Sequence, residues 1–216
     1  MNWYKKSMGL WEDIEGYGPE GNKLPALEEL KQIHPNINEK SMQDKLLGDF
    51  YRRNYFVNRF GWSVPTKQAI EKLKKFIGTD RVLEIGAGYG LWAKLMQDAN
   101  IPVTAIDSLK GTGWYSPKNR EPYTTVEHLQ HDEALQKYPS HEILMFSWPP
   151  YNDAMAYESL KNFKGDKLIY IGEGQGGCTG DEQFCNLIHT EWQEVATVDV
   201  PRWRGIHDYI MLFVRK

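Results

Sequence analysis

The stretch "RVLEIGAGYGLWAKLMQDAN", Arg81 to Asn100, decides the fold. "RVLEIGA" reads as a short buried strand, and Gly86, Gly88 and Gly90 crowd into its end and the turn after it. "LWAKLMQDAN" then reads as a helix. A strand that turns through glycine into a helix is the opening unit of a doubly wound sheet. Reading outward, "PVTAIDS" predicts a second strand and "TTVEHL" a weaker third. "HEILMFSW" predicts a fourth, followed by a helix over "DAMAYESLKNF", and "KLIYIGEG" a fifth, followed by a helix over "DEQFCNLIHTEW". The tail, "EVATVDVP" and "DYIMLFVRK", holds two strands with no helix-length segment between them, which predicts an antiparallel pair at one edge. The expectation is an α/β fold: a Rossmann-like, mostly parallel sheet with an antiparallel last strand, occupying residues 61–216.

Upstream, "VPTKQAIEKLKKFIG" carries a capping Thr66, apolar residues at Ile70, Leu73 and Ile77, and a stop at Gly78. Residues 1–60 differ in character. "PALEELKQIH" reads as a short helix, and "SMQDKLLGDFYRRNYFVNRF" as a longer one with Leu46, Leu47, Phe50 and Tyr51 at helical spacing. This helical, aromatic segment is expected to serve as a lid or an acceptor wall.

The 216 residues carry a net charge of −3, which argues against a large phosphate-binding surface, although Arg52 and Arg53 form a local basic pair. The first residues lack the apolar run of a signal peptide, and no window has the apolar length of a membrane span. Cys178 and Cys185 fit neither a redox pair nor a zinc site. The expectation is a cytoplasmic protein with reduced thiols, no metal and no membrane association. Eight tryptophans are a heavy aromatic load for this length, and call for a use.

The glycine turn lies where ligands bind in such sheets. A dinucleotide fingerprint spaces its glycines G-x-G-x-x-G; here the third arrives one residue early and Leu91 takes its place. Glu84, two residues before the first glycine, would repel a pyrophosphate but suits an ammonium group. Asp107, ending the second strand, is placed to accept from a ribose diol. Together, Glu84, the close-spaced glycines and Asp107 resemble the class I S-adenosylmethionine-dependent methyltransferases. That resemblance implies S-adenosylmethionine as cofactor, with Glu84, Gly86, Ala87, Gly88, Tyr89 and Gly90 around its methionine part and Asp107 on its ribose. Asp132 would then read its adenine.

In that layout, the end of the fourth strand faces the methyl acceptor. "SWPPY" is similar to the [Asp/Asn/Ser]-Pro-Pro-[Tyr/Phe/Trp] motif of amino-group methyltransferases, but Trp148 replaces its first residue, and indole only donates. Ser147, one residue early in a strand, is expected on the opposite face. Trp148, Pro149, Pro150 and Tyr151 are therefore expected to line a flat acceptor pocket, with the Pro149 carbonyl and the Tyr151 ring usable. Beyond the fifth strand, "YIGEGQGGCTGDEQF" places Glu173 as candidate proton acceptor or amine anchor, and Asp181 as a helix cap. His207, before the last strand, is a candidate general base. "FGWSVPT", the glycine turn, "FSWPPYNDAMA" and "WRGIHDYIMLFVRK" together resemble a widespread group of methyltransferase-like proteins of unknown substrate. The implied activity is methyl transfer to a nitrogen, or else an oxygen, of a small planar or aromatic molecule. The alternatives are a nucleic-acid base methyltransferase with Arg52, Arg53 and Arg59 on phosphates, and a non-catalytic cofactor-binding module.

Overall fold

The computed structural model describes residues 2–108 and 121–216. A seven-stranded sheet runs through it. Its strands are β1 (Val82–Ile85), β2 (Val103–Asp107), β3 (Val126–His128), β4 (Ile143–Ser147), β5 (Lys167–Gly172), β6 (Trp192–Asp199) and β7 (Tyr209–Arg215). Their spatial order is β3-β2-β1-β4-β5-β7-β6. The first five are parallel, and β7 inserts antiparallel between β5 and β6, so the tail strands pair as expected. The order reverses between β1 and β4, which opens a crevice beyond their C-terminal ends.

Alternate residues of the strands enter different layers, as a pleated sheet dictates. Val82, Ile143, Met145, Ile169 and Ile210 pack on one face with the helices α5 (Lys67–Ile77) and α6 (Leu91–Asp98). Leu83, Leu144, Phe146, Leu168 and Tyr170 pack on the other with α8 (Met155–Asn162) and α9 (Glu182–Glu191). Thr66 caps α5 by accepting the Ala69 N–H, and Asp181 caps α9 by accepting that of Phe184. Before β4 a short helix, α7 (His131–Lys137), covers polar sequence that carries little periodic signal.

The N-terminal segment is more structured than its sequence announces. A 3₁₀ turn (Trp3–Ser7) leads into α1 (Met8–Tyr17), α2 (Leu27–Ile33), α3 (Glu39–Gln43) and α4 (Lys45–Arg59). The expected long helix over residues 41–60 is broken because Asp44 caps a new start, accepting from the N–H groups of Leu46 and Leu47. Leu46, Leu47 and Phe50 are exposed rather than buried; the C-terminal turns of α4, through Phe56 and Phe60, are the part that reaches the body. Trp11, Ile14, Phe56 and Phe60 share one core with the sheet residues Val82, Ile143 and Ile210. Asp98 of α6 completes the weld, accepting from Ser7 and pairing with Lys94 at 2.7 Å. Among the described residues, no helix is long and apolar enough to cross a membrane.

Candidate functional site

A cleft of about 990 Å³ opens at the crevice, the upper end of the size usual for small-ligand sites. One end is built by the β1–α6 turn. Gly86, Gly88 and Gly90 all hold positive φ. At Gly90 (φ +72°) a Cβ would also meet Val126 Cγ2 at 2.9 Å, so glycine is required there on two counts. The Gly88 N–H donates to Asp107 Oδ2 at 2.7 Å, which locks the turn to the end of β2. Gly86, Ala87, Gly88 and Asp107 line the cleft; Tyr89 is buried, and its carbonyl accepts the Tyr123 N–H.

Glu84 faces the same end. It is 1% exposed, and its Oε2 has no hydrogen-bond partner among the described residues. Burial pushes its carboxyl up to about 8, against a backbone hydrogen bond from Ala93 and with a smaller upward push from Asp107. A buried carboxyl with an orphaned oxygen on a cleft wall is stabilised by an incoming cation. The residues present therefore fit an amino-acid ammonium group better than a pyrophosphate. Leu129, Gln130 and His131 continue the wall at the start of α7. Asp132 is exposed in the first turn of α7 and is not among the lining residues.

The other end of the cleft is aromatic. Trp62 and Trp148 stack with ring centroids 5.1 Å apart and planes at 16°. The Arg53 guanidinium lies over both, 5.4 and 5.9 Å from the centroids. Trp148 has φ +55°, a conformation that costs a bulky residue about 1–3 kcal/mol. Two bonds hold it there: its N–H donates to the Ile171 carbonyl at 2.8 Å, and its indole Nε1 donates to Asp208 Oδ1 at 2.9 Å. Asp208 is buried behind it, and burial pushes its carboxyl up to about 6 against the indole N–H, which favours the ionised form.

That backbone turn also corrects the expectation for Ser147. Because Trp148 leaves extended geometry, strict alternation ends, and Ser147 and Trp148 line the same cleft. Ser147 Oγ sits 2.9 Å from Ser63 Oγ, which accepts from Trp92 Nε1 at 2.9 Å, tying β4, α6 and the loop after α4 together. Pro149, Pro150 and Tyr151 line the cleft, and Tyr151 is 68% exposed at its mouth. The Pro149 carbonyl, however, already accepts the Gly180 N–H at 3.1 Å, and Asn152 N–H donates to the Gly180 carbonyl at 2.9 Å. The turn is thus pinned to the glycine loop after β5.

Glu173 and His207 lie off the cleft wall. Glu173 accepts the Cys178 N–H on Oε2 and the His207 N–H on Oε1, both at 2.9 Å. Burial opposes its ionisation, but these backbone donors outweigh it and hold the carboxyl below its usual range. Its oxygens staple two loops. His207 is 75% exposed beside it, and neither residue lines the cleft. The imidazole on the wall is His131, whose Nε2 lies 3.0 Å from Glu158 Oε2. Sequence reasoning passed over Trp62, His131 and Asp208. "FGWSVPT" flags Trp62 as an aromatic after a glycine, but the 60-residue separation of Trp148 and Asp208 leaves no local signal.

No protein-family model matches the chain, and no curated protein matches its sequence. Solved structures do. The 1,6-didemethyltoxoflavin-N1-methyltransferase of Burkholderia thailandensis, solved with 1,6-didemethyltoxoflavin and S-adenosylhomocysteine, is 18% identical; the match covers 90% of this chain and 92% of that one, at a TM-score of 0.51. The magnesium protoporphyrin IX methyltransferase of Synechocystis PCC 6803 is 12% identical over 90% and 100% of the two chains, at 0.47. An O-methyltransferase of Bacillus cereus is 14% identical over 96% and 99%, at 0.44. The match to the Burkholderia protein shows a shared fold, and at 18% identity the likeness extends to the fold alone.

Proposed function

We propose that the chain is an S-adenosylmethionine-dependent methyltransferase acting on a nitrogen of a small planar molecule. The observation that carries this reading is Glu84, a buried carboxyl with an unpartnered oxygen at one end of a cleft whose other end is an indole shelf. When bound, S-adenosylmethionine supplies an electrophilic methyl group on a sulfonium. Glu84 would hold its ammonium group, Gly86 to Gly88 would let the chain approach closely, and Asp107 would accept from its ribose. Asp132 is exposed off the wall, so Gln130 and His131, which line it, are better placed to meet the adenine.

At the acceptor end, Trp148, Trp62 and Tyr151 offer flat faces that align a ring, and alignment alone supplies roughly 7–11 kcal/mol of a displacement barrier. The N-terminal segment serves as a fixed wall through Arg53 and the loop after α4; a core shared with the sheet argues against a mobile lid.

Nucleic acid as acceptor is disfavoured by the arginines. Arg52 donates to the carbonyls of Gly18 and Gly21, and Arg59 pairs with Asp13 at 2.9 Å, so two of the three are internal staples. Methyl-labelled cofactor incubated with a small-molecule extract and, separately, with single-stranded DNA and RNA tests the proposal. Label is expected in the small-molecule fraction; transfer to the polynucleotides alone would contradict it.

A further inference from the structure

We infer that the acceptor carries a negative charge, a carboxylate on a flat ring system, which Arg53 receives while the indoles of Trp62 and Trp148 take the ring. This deepens the proposed function and rests on its reading of the cleft. Arg53 lines the cleft, half-buried, yet makes no hydrogen bond or ion pair with any described residue. Its Nε is buried with no partner among the described residues. The carboxylates whose field reaches it are committed elsewhere: Asp208 to the Trp148 indole, Glu173 to two backbone N–H groups. Burial draws the guanidinium pKa below its ordinary value, and the fields of Asp208, Glu173 and Cys178 offset this only in part.

A half-buried cation whose nearby carboxylates are bonded elsewhere is an expensive arrangement unless a ligand takes up its donors. The indoles stabilise its face by cation–π attraction but leave its N–H donors unused. Those donors form a planar fork, matched to a carboxylate rather than to a neutral amide. A ring seated against the stacked indoles brings its edge towards that fork, so shape and charge select together. A phosphate track would need several such cations, and the neighbouring arginines point into the protein instead.

The test uses quinoline-2-carboxylate, indole-2-carboxylate and pterin-6-carboxylate, each beside its carboxamide, titrated calorimetrically into the full chain with S-adenosylhomocysteine present. At least one acid is expected to bind roughly tenfold more tightly than its amide. Arg53→Met should bring the pair within about twofold, and Arg53→Lys should keep part of the preference. Affinity for S-adenosylhomocysteine should stay unchanged in both variants, which shows that the folded cofactor end is intact. Equal binding of acid and amide, no binding by any panel member, or a preference that survives Arg53→Met overturns the inference. So does displacement only by a single-stranded oligonucleotide. If S-adenosylhomocysteine fails to bind, the methyltransferase reading falls separately, and the acid-over-amide comparison is then read on the protein alone.

Discussion

Glu84 trades stability for binding, and the trade is measurable through pH. Its carboxyl sits at about 8 in the folded chain against an ordinary 4.5. A folded pKa raised above the unfolded one means that the native state holds the extra proton. The associated stability is full below the unfolded value and is lost as pH rises towards the folded one. Each pH unit crossed between those two values costs about 1.4 kcal/mol, so between about pH 5.5 and pH 8 Glu84 alone removes about 3 kcal/mol. Glu84→Gln cannot ionise and lacks this slope. Urea unfolding of parent and variant across that range should therefore diverge, with the variant gaining about 3 kcal/mol on the parent at the alkaline end. This double difference is insensitive to how well glutamine packs, because packing moves the whole curve. Asp208, raised to about 6 by burial, adds a slope common to both proteins and cancels. Parallel curves would refute the neutral, cation-seeking Glu84.

Other outcomes follow from the same contacts. Asp107→Ala should weaken S-adenosylhomocysteine binding by about 1.5–3 kcal/mol in a folded protein, read by calorimetry, because a charged acceptor is lost. Glu173→Ala should lower stability by about 2–4 kcal/mol in urea, since two backbone donors lose their acceptor, while Glu173→Gln retains part of it. A chemical base would instead give variants that melt normally and lose turnover. Tyr151→Ala should leave melting near the parent and weaken acceptor binding, whereas Trp148→Ala should also cost stability, because the indole is held by Asp208 and Trp62.

The strands, the glycine turn and the roles of Thr66 and Asp181 as caps were legible because each is a local pattern of spacing and turn chemistry. What local pattern does not encode is which end of an element meets the body. Leu46, Leu47 and Phe50 have core spacing, but they lie on the first turns of α4, beyond the reach of the sheet. Glu173 and His207 flank the right strand ends, yet nothing in their spacing reveals that they bond each other's loops. Ser147 and Trp148 share the cleft through a single positive φ, which an alternation rule cannot anticipate. The Trp148–Asp208 bond and the place of Arg53 over the two indoles depend on contacts between distant segments, so they emerge only when the chain is folded.

The most direct test of the central claim is calorimetric titration of the ligand-free chain with S-adenosylhomocysteine and, separately, with a nicotinamide dinucleotide. The cleft, whose Glu84 suits an ammonium group and whose turn puts Leu91 where a dinucleotide fingerprint has glycine, predicts a dissociation constant on the order of micromolar for the sulfur ligand, or about −8 kcal/mol, and no heat from the dinucleotide. Dinucleotide binding with no response to S-adenosylhomocysteine would contradict the account.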